Sequence, residues 1–468
     1  MRLRENWKPL LAVAVVLLGA GVYVGQDRWR DRCGAAADQL APDDISTVLR
    51  TPDELAGDLA DGQDDVLFPV GPELLDTLDA LPAPFGDLVA GRVWDDWTDR
   101  PSVGDIDDDT IYLASGGGLI GSEYTGSVVA ADVTSGNARW GVGVKGYGAG
   151  GGVVGDEFVT IGVPEDEAPQ VASYDLESGD RQGCTKLGDD TESDPTLGSS
   201  TVGDGDIAVA WAAGEGGLVV RRLDPVSGDE VWENDDIDHS SVHVEVDDAG
   251  QLVVVSQVAS SDPVGEGISG YGDLRGITAL DADRGTVAWS WPDAGAADQA
   301  TAVKVIATDP DAGRVYVLED SITEDSTKHA TAVVALDSDG QEVWRSALRS
   351  KYCEGTLWDD AVITSCPGVP LVSLDAATGE QRWETKQSKD LPGDVIRFGS
   401  GRSADLGDGT RLVMASDGLL SVDTATGEIT PAITEEGLGT FVAGIDLVGD
   451  HLVLSTESGV FVLDREPG

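Results

Sequence analysis

The body of the chain is a succession of short apolar segments separated by turns rich in Asp and Gly, and two turn signals recur along it. The first is an apolar segment, then Asp, two residues, Ser or Thr, Gly, and Trp four residues after the Gly. Copies read VVAADVTSGNARW at Asp132, VASYDLESGDRQG at Asp175, VRRLDPVSGDEVW at Asp224 and ITALDADRGTVAW at Asp281. They continue as VVALDSDGQEVW at Asp337, LVSLDAATGEQRW at Asp375, LLSVDTATGEITP at Asp423 and VFVLDREPG at Asp464. These eight copies lie about 47 residues apart on average, near the ~40–50 expected of four-stranded propeller blades. The second signal precedes each copy: a polar turn followed by an apolar strand, as in VGDEFVTIG, GDGDIAVAW and DDAVITSC. Two hairpin signals per repeat predict a four-stranded antiparallel blade.

Each motif position has a physical reason. The Asp carboxylate accepts backbone N–H groups two or three residues on and closes a tight turn. The Gly (Gly136, Gly228, Gly285, Gly340, Gly379) takes the left-handed backbone that a β-branched residue resists. Ala130, Ala279 and Ala335, two residues before the Asp, leave room for a large neighbour. The Trp (Trp140, Trp232, Trp289, Trp344, Trp383) is then expected to lie against the next blade. Gly183 and Pro431 stand where Trp is expected, and the Asp337 copy is one residue short, so these blades are expected to pack less regularly. No outer strand follows the Asp464 copy. Upstream of the first copy, LVAGRVWDDW contains Gly91 and Trp94 and reads as the missing half. Residues 88–97 are therefore expected to supply the outer strand of the last blade, closing the ring and removing exposed edges.

This A-x-D-x-x-T-G-x-x-x-W pattern resembles the tryptophan-docking repeat of quinoprotein alcohol dehydrogenases and the wider PQQ-like propeller family, over residues 86–468. The expected fold is all-β: an eight-bladed quinoprotein-like β-propeller, with seven blades as the alternative, preceded by one transmembrane helix and an acidic stalk.

Residues Pro9 to Gly25 carry no charge, follow Arg2, Arg4 and Lys8, and are flanked by Trp7 and Trp29. That tryptophan spacing corresponds to ~33 Å of helix, close to the separation of two interfacial belts. No small-x-small cleavage site closely follows, and no lipobox precedes Cys33. The reading adopted is an uncleaved signal anchor, with a cleaved signal peptide as the alternative. Residues 1–8 are then a cytoplasmic tail, 9–25 the membrane helix, 26–85 an acidic juxtamembrane stalk, and 86–468 a propeller outside the cell membrane.

Charge narrows the partners. The 86 acidic residues against 30 basic give a net charge of −56, which repels nucleic-acid phosphates and anionic headgroups. Nucleic acid is thus not expected as a partner, and membrane contact is expected through the N-terminal helix only. Four cysteines allow three pairings. If Asp359 and Asp360 form a hairpin turn, Cys353 faces Cys366 within disulfide reach. Elimination then pairs Cys33 with Cys184, tying stalk to body.

The resemblance implies a test for enzyme chemistry. PQQ-dependent dehydrogenases are expected to carry vicinal cysteines, a calcium held by acidic and amide groups, and a catalytic Asp, but no two cysteines here are adjacent. His239 and His243 lie on a strand-like segment that would hold them some 13–14 Å apart, too far to share a metal. The glycines Gly146, Gly148 and Gly151 match G-x-G-x-x-G but precede a strand pattern, and they read as an inter-blade loop rather than a phosphate cradle. DIDDD (Asp105 to Asp109) and DSDG (Asp337 to Gly340) read as loop carboxylates without a complete calcium loop. No catalytic, cofactor-binding or metal-binding residue is assigned, and no cofactor is expected.

What varies along the repeats is one set of loops. Segments 116–127, 260–276, 319–329 and 385–407 are long, whereas the Asp–Gly turns and polar turns of the opposite rim are short. Variable loops on a rigid scaffold are where binding residues concentrate. Tyr124, Tyr147, Tyr271 and Trp291 are the candidate anchors there. The expected function is a non-catalytic binding scaffold for a protein or ligand, with no enzyme activity. A PQQ- or calcium-dependent oxidoreductase is the alternative, and a polysaccharide-binding module the third reading. The outer-membrane assembly propellers of Gram-negative bacteria are relatives by fold, but those are lipoproteins.

Overall fold

The computed structural model describes residues 37–39, 85–91 and 102–465. Within the last range it leaves out 117–125, 164–169, 188–196, 214–216, 247–251, 259–273, 293–300, 323–328, 350–352, 386–402, 435–441 and breaks of one or two residues. Among the described residues every regular element is a strand, and the protein is an all-β propeller. Among the described residues the strands form eight antiparallel sheets, six of them simple meanders of four strands in which every strand pairs with the next. The third is typical: Leu197–Val202, Asp206–Ala213, Gly217–Leu223 and Glu230–Ile237, in that order from inside to outside.

The apolar segments of the repeat become the two middle strands, buried on both faces. Ile111, Leu113, Val128, Val129, Val317, Val333 and Val334 are all at or near zero exposure. Because both faces of a middle strand are covered, these segments read as continuous apolar runs rather than as an alternation. Outer strands are covered on one face and alternate, as in Glu230–Ile237, where Trp232, Asn234 and Ile237 are buried between exposed Glu and Asp. The core is therefore divided into layers between successive sheets. One layer joins Tyr112, Trp140, Phe158 and Tyr174 of the first two sheets, and the next joins Val159, Val171, Ile207 and Leu223 of the second and third. Further layers follow around the ring, and the strand Ser102–Asp107 of the first sheet packs on Val442–Val448 of the last.

Closure differs from the expectation in detail. The outer strand of the last sheet is Phe85–Gly91, which takes in the first residues of the expected 88–97 and begins three residues earlier, and it pairs antiparallel with Gly459–Arg465. Gly91 faces Val460 at the end of the described register, and a register shift lies between Phe85 and Leu88. Trp94 lies outside the described residues. Phe85, the last residue of the expected stalk, thus belongs to the propeller. Ala37–Gln39 adds a fifth strand to the first sheet, pairing with Val142, Gly143 and Val144 on its outer edge. Among the described residues no helix is long and apolar enough to cross a membrane, and the expected anchor 9–25 lies outside them.

A chain beginning at residue 101 lacks the closing strand, whereas one beginning at 84 retains it. The shorter chain is expected to melt more broadly and more than ~5 °C lower by calorimetry. Equal melting of the two would contradict closure by Phe85–Gly91.

Candidate functional site

The residues most constrained by the repeat meet where one sheet touches the next. Seven of the motif Asp residues, Asp132 through Asp423, cap their own turns. Asp132 accepts the Ser135 N–H at 2.7 Å, and Asp281 those of Asp283 and Arg284 at 3.1 and 2.9 Å. Asp375 and Asp423 do the same, adding the hydroxyls of Thr378 and Thr426. Asp224 binds Val226 and Ser227, and Asp337 binds Asp339 and Gln341, which fits its shorter turn. The glycine ending each turn is left-handed, with φ between 67° and 75° at Gly136, Gly228, Gly285, Gly340 and Gly379.

That glycine is also where the neighbouring tryptophan docks. The Trp140 ring lies against Gly179, Trp232 against Gly285, Trp289 against Gly340, Trp344 against Gly379 and Trp383 against Gly427. A Cβ at any of these glycines would fall 2.5–2.7 Å from an indole atom. Each indole N–H donates to the carbonyl of the residue after the next sheet's Asp: Leu176, Ala282, Ser338, Ala376 and Thr424, at 2.6–3.0 Å. Directly across the strand from four of these five tryptophans stands a small residue, Ala130, Ala279, Ala335 and Ser373 for Trp140, Trp289, Trp344 and Trp383, whereas Trp232 stands opposite Arg222. The indole's apolar area, its donor and its shape are thus all satisfied by one turn of the neighbouring sheet.

Arginines reinforce these turns, a feature the sequence reading missed. Arg139 bridges Asp132 at 2.9 Å and Asp109 at 2.8 Å, and Arg382 bridges Asp375 at 2.8 Å and Asp360 at 2.6 Å. The available signal was an Arg just before the Trp together with an Asp in the preceding hairpin turn. Elsewhere the cation crosses to the next sheet: Arg222 donates to the Ala282 carbonyl at 2.8 Å and Arg314 to Ala376 at 2.7 Å. Tyr316 also donates to Ala376, at 3.1 Å. The Arg139 guanidinium, helped by the Ser135 N–H, holds the Asp132 carboxyl at about 2. Arg382 lowers Asp360 and Asp375 in the same way. Burial pushes the Tyr174 and Tyr316 phenols up to about 12.

The expected binding anchors fare differently. Tyr147 is not in a loop; it begins the inner strand Tyr147–Val154 of the second sheet, which also takes in Gly148 and Gly151. Glycine-rich backbone pairs there as readily as any other, with a register shift between Tyr147 and Gly150. Trp291 ends the strand Val287–Trp291, half-buried against the apolar layer of the fourth and fifth sheets, with Arg345 6.0 Å over its ring. Tyr124 and Tyr271 lie outside the described residues. Asp105 and Asp107 belong to a strand rather than a loop. Strand pairing also shortens the long loops, since Glu319 to Ile322 and Ser403–Asp405 are strands.

Cys353 and Cys366 form a disulfide across the hairpin turned by Asp359 and Asp360, with Cα atoms 4.1 Å apart. Cys184, in the outer strand of the second sheet, is disulfide-bonded, and its expected partner Cys33 lies outside the described residues. Among the described residues no group of three or more His, Cys, Asp or Glu is placed to hold a metal ion.

These turns and dockings define a protein class, the tryptophan-docked propellers. Residues 219–468 match the family model described as outer membrane protein assembly factor BamB, and the chain belongs to this PQQ-like family. No curated protein matches the chain in sequence. Among solved structures, the computationally designed protein Ika8 is similar with a TM-score of 0.52 at 12% identity, over 78% of this chain and 96% of that one. BamB from Moraxella catarrhalis is similar with a TM-score of 0.47 at 17% identity, over 78% and 97% of the two chains. The quinohemoprotein alcohol dehydrogenase of Comamonas testosteroni gives 0.48 at 12% identity, over 79% and 76%.

Truncation of one docked indole, Trp344→Ala, is expected to cost about 3–5 kcal/mol in denaturant unfolding. Arg345→Ala on the exposed face is expected to cost under about 1 kcal/mol. Similar losses would contradict the docking account. Because the folded Asp132 carboxyl titrates near 2 against an ordinary 3.8, its contribution is complete above about pH 4 and is lost as pH falls through about 2. Asp132→Asn should therefore flatten acid unfolding over that window, as followed by tryptophan fluorescence.

Proposed function

We propose that this chain is a non-catalytic scaffold, an eight-bladed propeller anchored in the cell membrane by residues 9–25, that binds a protein or ligand outside the cytoplasm. The observation that carries the reading is membership of a family described by an outer membrane protein assembly factor. The site supports it. The motif Asp, Gly and Trp residues close turns and join sheets, and the cysteines Cys353 and Cys366 pair across a hairpin rather than side by side. The binding rim is the one that carries the connections between second and third strands, where spans such as 117–125 and 259–273 separate paired strands. The opposite rim holds the short capped turns and is uniform from sheet to sheet. The partner is a protein or ligand at that long-loop face.

Two measurements test this reading. Replacing residues 260–272 by a short Gly–Ser turn is expected to abolish capture of partners from intact cells while leaving the melting temperature within ~2 °C. Undiminished capture would move the binding surface elsewhere. Titration with PQQ, with and without Ca²⁺, is expected to leave absorbance and melting temperature unchanged; saturable binding with a raised melting point would favour the oxidoreductase alternative.

A further inference from the structure

The joint between the second and third sheets is built without an indole. Gly183 stands at the tryptophan position, cross-strand from Ser173. The carbonyl of Val226, in the Asp224 turn, occupies the place where a side chain at 183 would begin. Gly228 of that turn is met by Thr185 instead of a ring. With no ring as spacer, the third sheet's turn settles onto the backbone of the second and carries Asp224 toward its rim.

Glu157 lies on that rim, directly across from Asp175. Thr110, Leu252, Ala361 and Thr410 take the corresponding place opposite Asp132, Asp281, Asp375 and Asp423. Like charges directly opposite on paired strands repel. One carboxylate oxygen of Glu157 is buried and has no hydrogen-bond partner. The charges acting on it are Asp175 on the paired strand, Asp156 in its own hairpin turn and Asp224 from the third sheet. Of the cations in these two sheets, Arg222 pairs with Asp206 at 2.7 Å, Arg221 with Glu230 and Glu233, and Arg181 acts on the Tyr174 phenol.

We propose that this joint is a proton-dependent latch: Glu157 fits it as a neutral acid, and losing the proton loosens the second sheet from the third while the tryptophan joints stay shut. Burial first, then Asp175, Asp156 and Asp224, pushes the Glu157 carboxyl up to about 7 from an ordinary 4.5. A folded-state value above the ordinary one means the stabilisation is complete below about pH 4.5 and is lost as pH rises through about 7.

Hydrogen exchange of the full chain at about pH 5.5 and about pH 8, expressed as protection so that intrinsic exchange cancels, tests the latch. Protection in 170–175, 181–186 and 197–202 is expected to fall roughly tenfold or more at the higher pH, while 314–322 and 342–348 hold. Glu157→Gln should keep the joint protected at both values. Should that variant not fold, Asp224→Asn retains the turn acceptor, removes one repelling charge and should make the loss smaller and move it to lower pH. Equal protection at both pH values, a loss shared by all sheets, or a loss that persists in Glu157→Gln overturns the proposal.

Discussion

An indole laid on a glycine that has no side chain sets the spacing between successive sheets, and much of the molecule follows from that contact. The ring needs a flat apolar bed and a hydrogen-bond acceptor within about 3 Å. The neighbouring turn supplies both, and at four of the five docked rings an Ala or Ser across the strand leaves the room. The turn in turn requires an Asp to hold its N–H groups and a left-handed glycine to complete it. The Asp, the Gly and the neighbouring Trp of a docked joint are thus bound to one another by geometry. Each sheet is short and could not bury its faces alone; stacking on a neighbour provides the core.

Electrostatics acts on the same turns. A chain with a net charge of −56 crowds carboxylates at its rims, and the arginines it does have are placed where two carboxylates converge, as Arg139 and Arg382 show. These pairs are largely exposed, so each contributes modestly to stability while fixing which turn lies beside which. At Glu157, where burial and three carboxylates converge, the carboxyl is pushed up to about 7 instead.

The propeller was legible because the repeat states its turns explicitly: Asp at the cap, Gly at the left-handed position and Trp at a fixed offset all reflect local chemistry. The Cys353–Cys366 pairing was legible for the same reason, since one hairpin register decides it. Strand limits were less so. Tyr147, Gly148 and Gly151 resemble a loop in composition, yet pairing to the next strand makes them the inner edge of the second sheet. Trp291 resembled an exposed anchor, but its ring lies on the apolar layer and under Arg345, contacts made by residues distant in sequence. The strand Ala37–Gln39 left no signal, because three residues suffice when the edge they join supplies the hydrogen-bond pattern. Candidate binding residues were the least legible part, since recognition loops carry no repeat constraint.

The rim that holds the capped turns is fixed by the docking code. That order rests on the indole–glycine contact being a true joint. The most direct test is a double-mutant cycle on Trp344 and Gly379, with unfolding free energies of Trp344→Ala, Gly379→Ala and both together. If the ring and the glycine form the joint, Gly379→Ala costs much less once Trp344 is gone, with a coupling of roughly 1–3 kcal/mol. Additive losses would mean that each residue acts within its own sheet, and the account of the ring would fail.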